Sequence, residues 1–342
     1  MARIAINGFG RIGRLFFRHA ADEAQFEIVA INDLGDLQNL AYLLKYDSVY
    51  RAFPGEVKTA EKNGKNYLVV DGREVLMLQE KEPSKLPWRD LKIDIVIEAT
   101  GVFESFEKAR AHLASGAKRV VMTSPAKDED GADAATVLMG INDERIKTSV
   151  ITSNASCTTN AAAPVITVLS ENPGIAKAVL NTVHAYTATQ SVVDSPAKGK
   201  DFRRGRAAAQ NMSPSSTGAA IAVTRAAPGL KGKFDGIAIR VPVVAGSIAD
   251  ITFVAKRKTS AEEINDILRK AAASPRWKGI MKVVDDQIVS SDIIGEPYGA
   301  IVDLSFTKVI DGDLVKVLSW YDNEMGYVAT LLQHVLKVAA TT

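Results

Sequence analysis

The first half of the chain alternates short apolar segments with amphipathic ones. Apolar runs at 3–7, 26–33, 93–101 and 118–125 have the length of buried strands. Between them, the segments up to about residue 21, at 37–46 and at 105–116 repeat apolar residues with helical spacing. This order predicts a mostly parallel sheet covered by helices on both faces. Residues 65–79 are predicted to form a hairpin that turns at Asp71-Gly72.

The second half has a different pattern. Long alternating segments at 176–188, 234–256 and 298–322 predict a mixed, largely antiparallel sheet with one exposed face. Residues 260–274 predict an amphipathic helix capped by Ser260. Residues 194–218 form a long, basic, irregular segment, and loops of this length are usually functional or disordered. The fold class is therefore α/β followed by α+β, in two domains.

The net charge, the apolar runs and the cysteine count indicate which partners and which compartment to expect. Lys and Arg number 42 and Asp and Glu 40, a net charge of +2, which gives no electrostatic reason to expect nucleic acid or a membrane. The N-terminus has no signal-peptide pattern, and no apolar run reaches the roughly 20 residues of a membrane span. A single cysteine cannot form an internal disulfide, so a cytoplasmic location and no metal site are expected.

A dinucleotide-binding motif follows the first predicted strand. Gly8, Gly10 and Gly13 form the sequence G-x-G-x-x-G at the start of a helix, and Asp33 ends the next strand. The glycines allow a tight turn, close approach of a pyrophosphate and close helix packing. The Asp33 carboxylate would accept bonds from ribose hydroxyls and repel a 2′-phosphate, which favours NAD over NADP. Further contacts are expected at later strand ends, from Thr100, Gly101 and Thr123.

The cysteine lies in a polar segment, SNASCTTN at 153–160. An Ala-rich helical run follows, so Cys157 is expected near a helix N-terminus, where free N–H groups and the dipole favour thiolate. His184, at the end of a Thr-rich strand, is the leading base, and an imidazolium there would lower the thiol pKa further. The other histidines, His19, His112 and His334, lie in helical stretches and are expected at the surface.

A second set of residues suits phosphate oxygens. Hydroxyls, a Thr-Gly turn and guanidinium groups recur among Thr187, Thr189, Arg203, Arg204, Arg206, Thr217, Gly218 and Arg240. Arg240 interrupts an apolar strand, where a buried guanidinium requires an anion or carboxylate.

Taken together, these motifs resemble those of the phosphorylating glyceraldehyde-3-phosphate dehydrogenases. The resemblance extends over essentially the whole chain, and its most specific motifs are SNASCTTN at 153–160 and WYDNEMGY at 320–327. It implies an N-terminal Rossmann domain at 1–156, a catalytic domain at 157–323, a C-terminal helix at 324–342 that packs back on the first domain, and a homotetramer.

The resemblance also assigns roles to residues. Cys157 would be the nucleophile and His184 the base, and NAD would contact Gly8, Gly10, Arg11, Ile12, Asp33, Thr123 and Asn323. Inorganic phosphate would bind Ser156, Thr158, Thr217 and Gly218, and the phosphate of the substrate Thr187 and Arg240, with Arg204 nearby. The implied reaction converts D-glyceraldehyde 3-phosphate to 1,3-bisphosphoglycerate through a thiohemiacetal and a thioester, a step of glycolysis.

The chain departs from the family pattern in several places. The second cysteine common four residues after the first is Ala161, and the usual Glu-Arg-Asp-Pro is Glu80-Lys81-Glu82-Pro83. Thr123 stands where the family has serine. Pro196 keeps the proline associated with NAD preference, although Ser195 beside it leaves some NADP use open.

Three other functions share part of this pattern. Erythrose-4-phosphate dehydrogenase, a sister enzyme that uses water for deacylation, typically lacks the Thr217-Gly218 turn. A cysteine hydrolase or acyltransferase would have no dinucleotide motif. A non-catalytic nucleotide sensor would not need Cys157 and His184.

Overall fold

The computed structural model describes residues 1–21, 23–197, 199–226 and 228–342. The chain divides into two compact units. The first unit comprises Met1–Val137, Asn142–Ala155 and Leu331–Thr342, and the second comprises Leu138–Ile141 and Ser156–Thr330. The functional domain boundaries given above, 1–156 and 157–323, stay a prediction.

The first unit contains a nine-stranded sheet. Its strands are β1 Ala2–Asn7, β2 Phe26–Asn32, β3 Val57–Lys62, β4 Lys65–Val70, β5 Arg73–Leu78, β6 Ile95–Glu98, β7 Arg119–Met122, β8 Ala134–Thr136 and β9 Ile151–Ser153. Its helices are α1 Arg11–Ala20, α2 Leu37–Lys45 and α3 Phe106–Ala114. The strand order is β3-β4-β5-β2-β1-β6-β7-β9-β8. The pairs β3–β4 and β4–β5 are antiparallel and the others are parallel.

The strand order explains which strand residues are buried. In β1 and β6, consecutive residues such as Ile4 to Ile6 and Ile95 to Ile97 are fully buried, because both faces of the parallel sheet are covered. The hairpin predicted at 65–79 is confirmed as β4 and β5. Asp71 and Gly72 have φ angles of 49° and 78°, the left-handed conformation of a tight two-residue turn. The predicted α/β class of this half is therefore confirmed.

The second unit contains a seven-stranded sheet. Its helices are α4 Cys157–Glu171, α5 Ala219–Ala226, α6 Ala261–Ala272 and the first part of α7 Met325–Ala339, which continues into the first unit at Leu331. Its strands are β10 Ile175–Ala185, β11 Ser213–Ser216, β12 Phe234–Val241, β13 Ser247–Ala255, β14 Met281–Val284, β15 Ala300–Ile310 and β16 Leu314–Tyr321. The order is β11-β12-β10-β13-β16-β15-β14. The sheet is mixed and largely antiparallel, as predicted, because only β10–β12 and β14–β15 are parallel.

Two features of the second unit bear on the sequence predictions. The Ser260 side chain accepts a hydrogen bond from the Glu263 N–H at the start of α6, so the predicted cap is confirmed. The segment 194–218, expected to be irregular, contains a 3-10 turn at Phe202–Gly205 and the strand β11. Lys198, within that segment, lies outside the described residues.

The expectation that His112 and His334 lie at the surface is wrong. Both are fully buried, whereas His19 is exposed. His112 receives a hydrogen bond from Trp88 Nε1 at 3.0 Å. His334 lies 3.1 Å from Asn154 Oδ1 through Nδ1 and 2.9 Å from Thr152 Oγ1 through Nε2. These polar partners make burial of an imidazole possible.

The described part of the chain contains no helix with both the length and the apolar character needed to cross a membrane.

Candidate active site

Cys157 is the first residue of α4, in the second unit. Ser156 caps this helix, since its Oγ accepts a hydrogen bond from the Thr159 N–H at 3.1 Å. Just before the cap, Ala155 is fully buried with φ of 55°, an uncommon conformation for a residue with a side chain. As a whole residue, Cys157 is half-buried. The predicted position at a helix N-terminus is confirmed.

His184 meets the cysteine from β10. Its Nε2 lies 3.3 Å from Cys157 Sγ, although the residues are 27 positions apart in sequence. His184 is next to the end of the strand and is 3 % exposed, so its ring has a fixed place in the sheet. This distance allows proton transfer between sulfur and imidazole.

Arg240 lies on the other side of the imidazole. It pairs with His184 in the register of β10 and β12, and its Nη1 lies 2.6 Å from His184 Nδ1. The carbonyl oxygen of Ala185 also lies 2.6 Å from Nδ1 and accepts a bond from Arg240 Nη1 at 3.1 Å. The Ala185 carbonyl can only accept, so it favours the tautomer with the proton on Nδ1, and this tautomer leaves Nε2 free to accept the proton of the thiol.

Burial is the largest cause of the pKa shifts of both Cys157 and His184. Burial, with the nearby charge of Arg240, lowers the pKa of His184 to about 3, so the imidazole is neutral at neutral pH. Burial raises the pKa of the Cys157 thiol, and the Arg240 charge and hydrogen bonds from Thr158 act in the opposite direction. The expectation that an imidazolium lowers the thiol pKa is therefore wrong, because the imidazole is uncharged at neutral pH. The stabilising cation is Arg240, and His184 is available as a neutral base.

Tyr321, at the end of β16, was not singled out by the sequence analysis. Its hydroxyl lies 2.9 Å from Thr158 Oγ1 and 2.7 Å from Thr182 Oγ1, and its ring meets the His184 ring edge-on at 5.9 Å. All three hydroxyl-bearing residues are at most 4 % exposed. Burial raises the pKa of Tyr321, which keeps its hydroxyl protonated. The only sequence signal was its place in the motif WYDN.

The predicted anion-binding residues fall into two groups. Arg204 donates to Thr189 Oγ1 at 3.0 Å and to Ser215 Oγ at 3.2 Å, and Thr189 Oγ1 lies 2.9 Å from Thr187 Oγ1. This brings Thr187, Thr189 and Arg204 together. In contrast, Arg203 and Arg206 are exposed and form ion pairs with nearby carboxylates, those of Asp201 and Asp194.

Among the described residues no carboxylate acts on the charge of Arg240, and its buried Nε has no hydrogen-bond acceptor there. A partly buried guanidinium without a counter-ion favours an anionic ligand. Thr217 and Gly218 precede α5, and Thr217 Oγ1 accepts from the Ala219 N–H at 3.2 Å.

Asn323, two residues after β16, has a fixed side chain. Its Oδ1 accepts from the Gly246 N–H and from Ser247 Oγ, each at 3.1 Å. The side-chain NH₂ group of the amide is therefore the end oriented away from these two donors.

The glycine motif in the first unit has the geometry of a dinucleotide site. Gly8 has φ of +98°, and a Cβ there would lie 2.6 Å from the backbone of Ala99 and Thr100. A Cβ on Gly13 would lie 2.1 Å from the Gly8 carbonyl oxygen, whereas one on Gly10 meets no atom within 4 Å. The first and third glycines are thus required by packing, and the second leaves open space at the N-terminus of α1. The residues present fit a bound pyrophosphate.

Other predicted cofactor residues lie around this turn. Asp33 accepts from the Phe9 N–H at 2.6 Å and the Gly35 N–H at 2.8 Å, so its carboxylate also holds the glycine turn. Arg11 begins α1 and forms an ion pair with Asp47 at 3.0 Å, and Ile12 follows it in the helix.

The remaining candidates end neighbouring parallel strands. Thr100 and Gly101 follow β6, and Thr123 follows β7, with its N–H donating to the Glu98 carbonyl oxygen at 3.0 Å. The carboxyl ends of parallel strands are where open α/β sheets bind ligands. Within the described ranges, no group of His, Cys, Asp or Glu side chains is arranged to hold a metal ion.

Comparisons with known proteins agree with this geometry. Residues 2–106 match the family profile "Glyceraldehyde 3-phosphate dehydrogenase, NAD binding domain", and residues 156–323 match "Glyceraldehyde 3-phosphate dehydrogenase, C-terminal domain". Glyceraldehyde-3-phosphate dehydrogenase of Thermotoga maritima is 52% identical over 99% of this chain and 100% of its own. The enzyme of Streptomyces coelicolor is 47% identical over 95% of both chains. Glyceraldehyde-3-phosphate dehydrogenase 2 of Bacillus subtilis is 44% identical over 97% of this chain and 96% of its own.

These matches extend over both units and include the glycine motif as well as the Cys157 and His184 pair. The chain therefore belongs to the glyceraldehyde-3-phosphate dehydrogenase family and is an NAD-dependent dehydrogenase.

Proposed function

We propose that the protein oxidises D-glyceraldehyde 3-phosphate with NAD and inorganic phosphate, forming 1,3-bisphosphoglycerate. The observation that carries this proposal is the 3.3 Å distance between Cys157 Sγ and His184 Nε2 in a chain of this family. That pair supplies both the nucleophile and the base that attack on an aldehyde requires.

The chemistry at Cys157 begins with loss of the thiol proton to Nε2 of neutral His184, in the tautomer whose Nδ1–H donates to the Ala185 carbonyl oxygen. The sulfur adds to the aldehyde carbon, and the N–H groups at the start of α4 stabilise the oxyanion of the thiohemiacetal. NAD, held by the turn from Gly8 to Gly13 and by Asp33, supplies the hydride acceptor. The protonated His184 returns its proton to the oxyanion, which gives the hydroxyl of the thiohemiacetal. The ring, neutral again, then takes the hydroxyl proton as hydride leaves the carbon and the thioester forms. Inorganic phosphate then displaces Cys157, giving the acyl phosphate and restoring the sulfur.

Two anion sites are part of the proposal. Arg240 and Thr187 bind the phosphate of the substrate, with Arg204 nearby, and the unbalanced charge of Arg240 supports this assignment. Inorganic phosphate binds at Ser156, Thr158, Thr217 and Gly218, at the N-terminal ends of α4 and α5. Thr123 and Asn323 would each contribute to binding of the nicotinamide part of NAD, as the family resemblance implies.

A steady-state assay with D-glyceraldehyde 3-phosphate and NAD, with and without inorganic phosphate, tests the reaction. We expect turnover to depend strongly on phosphate. Equal turnover in both conditions would select the water-using alternative, erythrose-4-phosphate dehydrogenase. Cys157→Ser should abolish turnover and leave NAD binding intact, and retained turnover would remove the cysteine from the mechanism.

We also propose that the protein is a homotetramer that works in the cytoplasm. One face of the seven-stranded sheet packs against α4, α5 and α6, and the opposite face exposes Val179 and Ile237, each 52% accessible. These two exposed apolar side chains support association with a second copy. Light scattering coupled to gel filtration should give a tetramer. Ile237→Lys should weaken assembly, whereas Val289→Lys, at an exposed loop position, should not.

A further inference from the structure

A buried carboxylate lies beneath the predicted cofactor turn of the first unit. Glu98 ends β6 and its side chain is 1% exposed. Its Oε1 accepts from the N–H of Thr100 at 2.9 Å and from the Thr100 hydroxyl. Its Oε2 accepts from Asn7 Nδ2 at 2.6 Å and lies 2.9 Å from His112 Nε2. None of these partners is a permanent cation, so neutral donors hold the group in place.

The direction of the hydrogen bonds in this network is set by Trp88, which contacts His112 on the side away from Glu98. Trp88 Nε1 can only donate, and it donates to His112 Nδ1 at 3.0 Å. Nδ1 therefore carries no proton, and the Nε2–H of His112 donates to Glu98. Because all its partners donate, Glu98 is an acceptor at both oxygens, which is the role of an ionised carboxylate. Trp88 and His112 are both fully buried, so this end of the network has no contact with solvent.

The same network continues to the other parts of the cofactor site. Asn7 Oδ1 accepts from Asn32 Nδ2 at 2.7 Å, and the Asn32 carbonyl oxygen accepts from the Gly8 N–H at 2.8 Å. Asp33, the carboxylate expected to bind ribose, is the next residue after Asn32. These hydrogen bonds connect the ends of β1, β2 and β6, which the Gly8 turn, Asp33 and the Thr100 turn directly follow.

We propose that Glu98 is a positioning residue of the NAD site, which holds the Thr100-Gly101 turn and, through Asn7 and Asn32, the Gly8 turn in the geometry that binds the dinucleotide. His112 completes this arrangement by donating to the carboxylate. The inference goes beyond the proposed reaction, because it depends only on NAD as the cofactor and not on which aldehyde is oxidised.

Glu98→Gln is the direct test, because it preserves size and replaces one acceptor oxygen by an NH₂ group. That group would face the two donors, Asn7 Nδ2 and His112 Nε2–H, and disturb the turns. We expect NAD to bind about tenfold to a hundredfold more weakly, as an unsatisfied buried polar group costs on that scale. Binding is measured by titration with NAD alone, without aldehyde or phosphate. The result therefore tests this inference even if the proposed reaction is wrong.

The rate of alkylation of Cys157 by iodoacetamide without NAD distinguishes positioning from general destabilisation. It should stay within about twofold of the wild-type rate, because the second unit contains the thiol and its partners. Glu27→Gln, an exposed glutamate that pairs with Arg3, is the matched control and should change neither measurement. Unchanged NAD affinity in Glu98→Gln, or a parallel fall in affinity and alkylation rate, would overturn the proposal.

A pair of His112 variants keeps the inference testable if Glu98→Gln folds poorly. His112→Leu removes the donor to Glu98 and should weaken NAD binding. His112→Gln can accept from Trp88 and donate to Glu98, so it should restore most of the affinity. Equal NAD affinity in the two variants would contradict the role assigned to this hydrogen bond.

Discussion

Arg240 Nη1 lies 2.6 Å from His184 Nδ1, on the side of the imidazole opposite the sulfur of Cys157. The contact joins the residue proposed to bind the substrate phosphate to the residue proposed as the base. Burial is the main cause of both pKa shifts, since it lowers the pKa of His184 and raises that of the Cys157 thiol, and the Arg240 charge acts on both groups in the lowering direction. Substrate binding and base strength thus depend on the same guanidinium.

Arg240→Gln should therefore affect phosphorylated substrates most. Losing a charge-assisted contact to phosphate should raise KM for D-glyceraldehyde 3-phosphate by about tenfold to a hundredfold. Unphosphorylated glyceraldehyde serves as the control substrate, since it has no phosphate for Arg240 to bind. Steady-state kinetics with both aldehydes measure the difference, and an equal loss with the two substrates would contradict the assignment.

Tyr321→Phe removes one hydroxyl and keeps the ring beside His184. Thr158 and Thr182 then lose a buried partner, so unfolding free energy should fall by about 1–3 kcal/mol. We also expect a lower kcat, because Thr158 follows the nucleophile, with no change in NAD affinity. Urea unfolding and steady-state kinetics give both values. Tyr298→Phe is the control, as that half-buried ring packs over Lys282, and an identical response of the two variants would exclude a special role for Tyr321.

Asp33→Asn should reduce the preference for NAD over NADP. The substitution removes the charge that repels a 2′-phosphate and leaves one oxygen for the backbone N–H groups that Asp33 now binds. NAD affinity should also decrease, because the Phe9 N–H or the Gly35 N–H loses its acceptor. The ratio of kcat/KM for the two cofactors is the measurement. An unchanged ratio would assign the preference to the segment around Pro196.

Acid should destabilise the protein through His184 and His334. Burial lowers the pKa of each to about 3, so between pH 6.5 and 3 the unfolded chain binds more protons than the folded one. Stability therefore falls as pH decreases through this window, by about 2 kcal/mol for each histidine between pH 7 and 5. Urea unfolding at both pH values tests this. His334→Gln should lose less stability on acidification than the exposed-site variant His19→Gln, and equal losses would contradict the linkage.

The sequence predicted those features that depend on local pattern. The β4–β5 hairpin followed from Asp71-Gly72, whose positive φ angles the turn requires. The pairing of Cys157 with His184 followed from chemistry, because a chain with one cysteine and four histidines leaves few combinations. Both predictions rest on residue types with few structural roles: Asp-Gly in a tight turn, and a cysteine paired with a histidine.

Features that depend on distant partners were missed. His112 follows Phe106 and Ala109 on the buried face of α3, a spacing that could have indicated burial. Its partners, Trp88 and Glu98, come from other elements, so the pattern alone did not predict that an imidazole would be satisfied there. The protonation of His184 likewise depends on Arg240, 56 residues away, through strand register.

Ala161 lies one turn after Cys157 on α4 and is fully buried, and the chain has no other thiol. An oxidant that converts Cys157 to a sulfenic acid therefore leaves it with no internal sulfur to form a disulfide. Recovery must come from a thiol on another molecule, and without one the oxidation proceeds to the irreversible sulfinic and sulfonic acids. The resistance of this enzyme to peroxide thus depends on the reducing capacity of its surroundings rather than on its own chain.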